Sequence, residues 1–174
     1  MGKVLVLGRD MNKAGTDIGE EVKPLLKRAL QYQRATGDTI VVAPGMSPDY
    51  PNQTETYASM MARWLKQNGS DKVEVLESKT FNTYGELLAF FYQAQKGDSV
   101  IGYHWHLRRA RFTAQLWINR QWATRLNWVG VVAPMSRFDK CIEPLKWLNA
   151  CLSPSMQRRA VTLYKRCVSK RTSY

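Results

Sequence analysis

The segment Tyr103-His104-Trp105-His106-Leu107-Arg108-Arg109 places both imidazoles of the chain beside two guanidiniums. Imidazole exchanges its proton near neutral pH, so a histidine near an arginine and a carboxylate is equipped for acid–base work on an anionic ligand. His104 and His106 face opposite sides if the strand persists and diverge around a helix if one has begun, so without a third ligand or an HExxH pattern no metal site is expected. Cys141, Cys151 and Cys167 are odd in number and lack CxxC spacing, which reads as incidental thiols in a reducing compartment. GxSxG, GxGxxG and GxxxxGK[ST] do not occur, leaving a nucleophile elbow, a dinucleotide fingerprint and a P-loop unsupported.

Charge is placed unevenly. The chain has 174 residues and a formal net charge of +12. Up to His104 there are 12 Lys/Arg against 12 Asp/Glu; from Trp105 onward there are 14 against 2. Such a field draws in phosphorylated metabolites, nucleic acid or acidic lipid, or it is a solvated face that keeps the protein soluble. A hydrophobic fraction of 44% argues against disorder. Met1-Gly2-Lys3 runs directly into Val4-Leu5-Val6-Leu7 without a secretory pattern, and no apolar run reaches about twenty residues. A cytoplasmic protein is the expectation.

Apolar runs and their breakers supply the elements that must hold these residues. Strands are expected at Val4–Leu7, Thr39–Ala43, Val73–Leu76, Ser99–Tyr103 and Asn127–Val132. Helices are expected within Gly19–Thr36, over Thr54–Asn68, over Tyr84–Gln95 with Leu87, Leu88, Phe91 and Tyr92 inward, and over Arg108–Trp122. Two more helical patterns, Ile142–Ala150 and Pro154–Val168, give a basic helical C-terminal segment over about 138–168 beyond a core of about 4–133. Strands alternating with helices make βαβ units and a mainly parallel sheet of about five strands in a single α/β domain.

In such a sheet ligands bind beyond the carboxyl ends of the strands. The residues there are Gly8, Arg9 and Asp10; Pro44, Gly45 and Met46; Glu77, Ser78, Thr80, Asn82 and Thr83; His104, His106, Arg108 and Arg109; and Pro134, Met135, Ser136 and Arg137. Glycines allow close backbone approach, and helix starts offer free N–H groups to an anion. Thr83 also stands where it could cap a helix, with Glu86 in capping-box position, and Glu55 could simply favour a helix dipole.

At these loops the chain resembles the YdcF-like (DUF218) family, which includes the SanA and ElyC proteins, over roughly Val4 to Ala133. Four segments carry the likeness: the strand ending in Gly8; Ile40-Val41-Val42-Ala43-Pro44-Gly45; Glu55 with Met60 and Leu65; and Ser78…Asn82-Thr83-Tyr84 joined to His106-Leu107-Arg108-Arg109-Ala110. The chain departs from the family in Pro44-Gly45-Met46 for paired glycines, in Gly102-Tyr103 for Thr-Ser, and in Gly85-Glu86 after the Thr-Tyr pair. The resemblance implies a Rossmann-like three-layer domain and nominates Gly8, Gly45, Glu55, Asn82, Thr83, His106 and Arg109. It also implies S-adenosylmethionine as a candidate cofactor and, for some members, a link to the cell envelope.

The leading expectation is a pocket for a small anionic, nucleotide-like or phosphorylated ligand, with hydrolase or transferase chemistry. Arg109, helped by Arg9 or Arg108, would hold the anion with the Gly8 and Gly45 amides. Glu55 would bind a ribose or act as base, and His106 would move protons. One alternative is nucleic-acid binding by the basic C-terminal third, through Arg108, Arg109, Arg111, Arg120 and Arg125 with Trp117 and Trp122. Another is a non-catalytic interaction or envelope-associated protein whose C-terminal helices, Pro154 to Val168, dock on a partner or on acidic lipid.

Overall fold

The computed structural model describes residues 2–8, 16–46, 53–77, 82–133, 137–152 and 156. They fall into two compact units, 1–133 and 134–174. The first holds a five-stranded, all-parallel sheet: β1 (Lys3–Val6), β2 (Thr39–Val42), β3 (Val73–Val75), β4 (Ser99–Tyr103) and β5 (Asn127–Val131). Strand order is β3-β2-β1-β4-β5, the doubly wound, Rossmann-like arrangement. The chain winds outward from β1 to β3, then returns across the sheet to lay β4 on the other side of β1.

Alternation along each strand sorts side chains between the faces. Val4, Val6, Ile40, Val42 and Ile101 pack against α1 (Lys23–Thr36) and α2 (Tyr57–Gln67). Leu5, Leu7, Val41, Ala43 and Val100 pack against α3 (Thr83–Phe91), α4 (His104–Trp117) and α5 (Arg120–Arg125). Both faces are covered, which is why the strands read as continuous apolar runs. At the amino ends of the strands the buried Asp98 accepts from the Lys3 N–H (2.9 Å) and the Gln95 N–H (2.7 Å), locking β1 to the turn before β4.

Helix α1 lies where the sequence places it, whereas the bounds of α2 to α5 differ from expectation. Pro24 stands in the first turn of α1, where its missing N–H costs nothing, and Gly37 (φ 75°) ends the helix by donating to the Gln33 carbonyl. Helix α2 begins at Tyr57, three residues later than expected, because the Thr56 hydroxyl accepts from the Ser59 N–H (3.1 Å). The expected helix Arg108–Trp122 starts four residues earlier, directly after β4, and is two helices: Asn119 accepts from the Trp122 N–H (2.9 Å) and starts α5. The inward face of α3 is Glu86, Leu87 and Phe90, so Tyr92 is 79% exposed instead of buried.

The second unit carries α6 (Arg137–Cys151), with Pro144 in its interior. Of the expected helix Pro154–Val168, only Met156 lies within the described residues. No helix among them is long and apolar enough to cross a membrane.

Candidate functional site

The return of the chain from β3 to β4 opens a switch between β1 and β4, and three segments meet there: Gly8 after β1, the start of α3, and the start of α4. Two hydrogen bonds tie them together. The Gly8 N–H donates to Oε2 of Glu86 (3.2 Å), and Oγ1 of Thr83 shares a hydrogen bond with Nε2 of His106 (2.9 Å). Thr83 and Glu86 are one turn apart on α3, so a single helix start reaches both neighbours.

Asn82 sets that helix start. Its Oδ1 accepts from the Gly85 N–H (2.8 Å), so Asn82 is the cap and Thr83 the first helical residue. The capping box suggested by Thr83 and Glu86 does not form, because Thr83 turns to His106 and Glu86 to Gly8. Replacing Asn82 by Ala is expected to cost about 1 kcal/mol, and by Gly only a few tenths. Paired thermal melts check the ranking.

Glu86 is 4% exposed, and burial pushes its carboxyl from the ordinary 4.5 up to about 8, although the Gly8 N–H acts in the opposite direction. At neutral pH it therefore holds a proton and carries no charge. His106 is 6% exposed and lies against Trp105 (ring centroids 5.8 Å), which in turn stacks on Tyr103 (6.0 Å, 5° between planes). The Tyr103 hydroxyl donates to the Glu21 carbonyl, anchoring this ladder to the segment before α1. His104 is exposed, and Nδ1 of its ring lies 2.8 Å from where a Cβ on Gly130 would stand. The helical start at His104 sends the two imidazoles in different directions. Among the described residues no three His, Cys, Asp or Glu side chains gather as a metal site.

Arg109 follows His106 by one turn of α4 and is half-buried, whereas Arg108 is exposed. Tyr103 at the head of α4 provides no side-chain cap for its first amides. Gly8 is half-buried against Pro44 and Tyr57, and its N–H is already engaged by Glu86. Gly45 is buried, and its carbonyl accepts from the Tyr57 N–H (3.3 Å), joining the end of β2 to α2. Glu55 precedes the α2 cap and pairs with Arg63 on that helix, with Asp17 3.9 Å from the same guanidinium. Its carboxylate is thus engaged at α2, away from the α3–α4 pair. Arg9, Asp10, Ser78, Thr80, Pro134, Met135 and Ser136 lie outside the described residues, as do the side-chain surroundings of Arg137.

Glu86 is the residue that sequence reasoning undervalued. Its signal was present: Thr83, Glu86, Leu87 and Phe90 follow the i, i+3, i+4, i+7 pattern of an inward face, which makes Glu86 a carboxyl on a core stripe. No family model, curated protein or solved structure matches the chain.

Proposed function

We propose that the β1–β4 switch binds a small anionic ligand, nucleotide-like or phosphorylated, and that His106 transfers protons there in a hydrolase or transferase reaction. The observation that carries this reading is the paired linkage Thr83–His106 and Gly8–Glu86 at the carboxyl ends of the strands. Arg109, a turn beyond His106, supplies the cation for the anionic group. The raised pKa of Glu86 is the kind of perturbation that accompanies acid–base sites. Thr83 fixes the orientation of the His106 ring through Nε2, its hydroxyl being able to donate to or accept from that nitrogen. Glu55 is left out of the reacting group because Arg63 holds it.

S-adenosylmethionine remains a candidate cofactor through the resemblance to the YdcF-like (DUF218) family, and a reducing, cytoplasmic setting accords with the free thiols of Cys141 and Cys151. Nucleic-acid binding has less support. Arg108, Arg111, Arg120 and Arg125 are exposed, but Trp122 is buried against Phe90 and Phe91, at 6.4 and 5.2 Å between centroids.

The test is ligand-induced stabilisation across nucleotides, S-adenosylmethionine and sugar phosphates at millimolar concentration. A ligand at about ten times its Kd stabilises by about 1.4 kcal/mol, which raises the melting temperature of a chain this size by roughly 3–6 °C. We expect that shift in the wild type and its loss in Arg109→Gln and His106→Ala. No shift with any of these ligands overturns the reading; a shift retained in both variants moves the site elsewhere.

A further inference from the structure

From α6 we infer a second functional surface, a docking face for an anionic membrane surface. At 100° per residue, Cys141, Pro144, Leu145, Leu148 and Cys151 fall within an arc of roughly 120° on one side of the helix. All five are exposed, Leu145 by 65% and Leu148 by 64%. The opposite side carries the buried Glu143 and Ala150. The apolar side chains of this arc face out, whereas those of α1 and α2 are buried.

Charge decides the occupant. The unit 134–174 holds nine Lys/Arg against two Asp/Glu, and the eighteen residues after Met156 hold six basic and no acidic residues. A second copy of the chain would bring like charge onto like charge, and fifteen residues interrupted by Pro144 are short for a helix-pairing seam, which needs three or more heptads. Nucleic acid would use the charge and leave the leucines in water. An anionic bilayer surface accommodates both, taking the apolar stripe at the acyl boundary and the basic residues at the headgroups. The helix is too short to span and lies in the plane of the interface.

The experiment uses the full chain in vesicle flotation, comparing phosphatidylcholine alone with phosphatidylcholine containing about 30% phosphatidylglycerol. Wild type is expected to float only with the anionic vesicles and to be released at high salt. The double substitution Leu145→Glu with Leu148→Glu, at positions whose exposure spares the fold, should weaken binding at least tenfold. A second readout needs no change to α6. In a Cys167→Ser background, the reaction of Cys141 and Cys151 with a thiol reagent should slow severalfold on adding anionic vesicles and not neutral ones. The inference fails if wild type does not float, if neutral vesicles serve equally well, or if the double variant binds like wild type. It also fails if a single-stranded oligonucleotide protects the two thiols as well as the vesicles do.

Discussion

Between about pH 5 and about pH 9 the wild-type protein should lose stability relative to Glu86→Gln, by an amount on the order of 4 kcal/mol at most. The folded state holds the Glu86 proton up to about pH 8, whereas the unfolded chain releases it near the ordinary 4.5. Folding therefore takes up a proton across this window, and each pH unit costs about 1.4 kcal/mol. The stabilising contribution is complete below the unfolded pKa, falls as pH rises through the window, and is exhausted above the folded pKa. Gln keeps an acceptor for the Gly8 N–H and has no charge to desolvate. Urea denaturation of both proteins at the two pH values isolates the residue, because every other titration appears in both. Near-equality at acid pH with Gln ahead at alkaline pH is the expected result. Parallel stability curves would show that Glu86 is ionised in the folded protein, and would remove the neutral carboxyl from the proposed site.

Gly8→Ala is expected to cost about 2–3 kcal/mol at neutral pH, a fall of roughly 5–10 °C in melting temperature. A Cβ at Gly8 would lie 2.6 Å from Cγ of Pro44 and 3.2 Å from two ring carbons of Tyr57. Neither neighbour can give way easily. Pro44 is a buried ring whose carbonyl accepts from the Ala58 N–H (3.1 Å), and Tyr57 is completely buried. The chain after β1 must shift instead, and that shift pulls the Gly8 N–H from Glu86. The two substitutions should therefore be non-additive in a double-mutant cycle, since they share one hydrogen bond. A melting temperature within about 1 °C of wild type would mean that β1 can move at this point, and that the close approach of β1 to Pro44 is not a constraint on the site.

The two expected results bear on the same structural fact, which is that the candidate site is assembled from helix starts. Strands β1, β2 and β4 only deliver the chain to the rim. The contacts of Thr83, Glu86 and His106 depend on where α3 and α4 begin and on their rotation about their own axes.

Much of this was written locally. Apolar runs closed by glycine or proline specify the strands, and alternation with helical stretches long enough for crossovers specifies the parallel sheet. The rim residues follow, because carboxyl ends of parallel strands share one edge. That argument alone brings Asn82, Thr83, His106 and Arg109 into one neighbourhood. The tertiary structure decided the rotation of α3. In Leu87-Leu88-Ala89-Phe90-Phe91-Tyr92 nearly every position is apolar, so two faces 100° apart score alike, and the sequence reading took the one that buries Tyr92. Packing of Leu87 and Phe90 against Leu5, Leu7 and the α4–α5 side chains selects the other. That one-residue change of phase turns Glu86 from a solvent-facing carboxylate into a buried, neutral acid on Gly8. Its identity was in the sequence; its chemistry depends on burial, which only neighbours distant along the chain can impose.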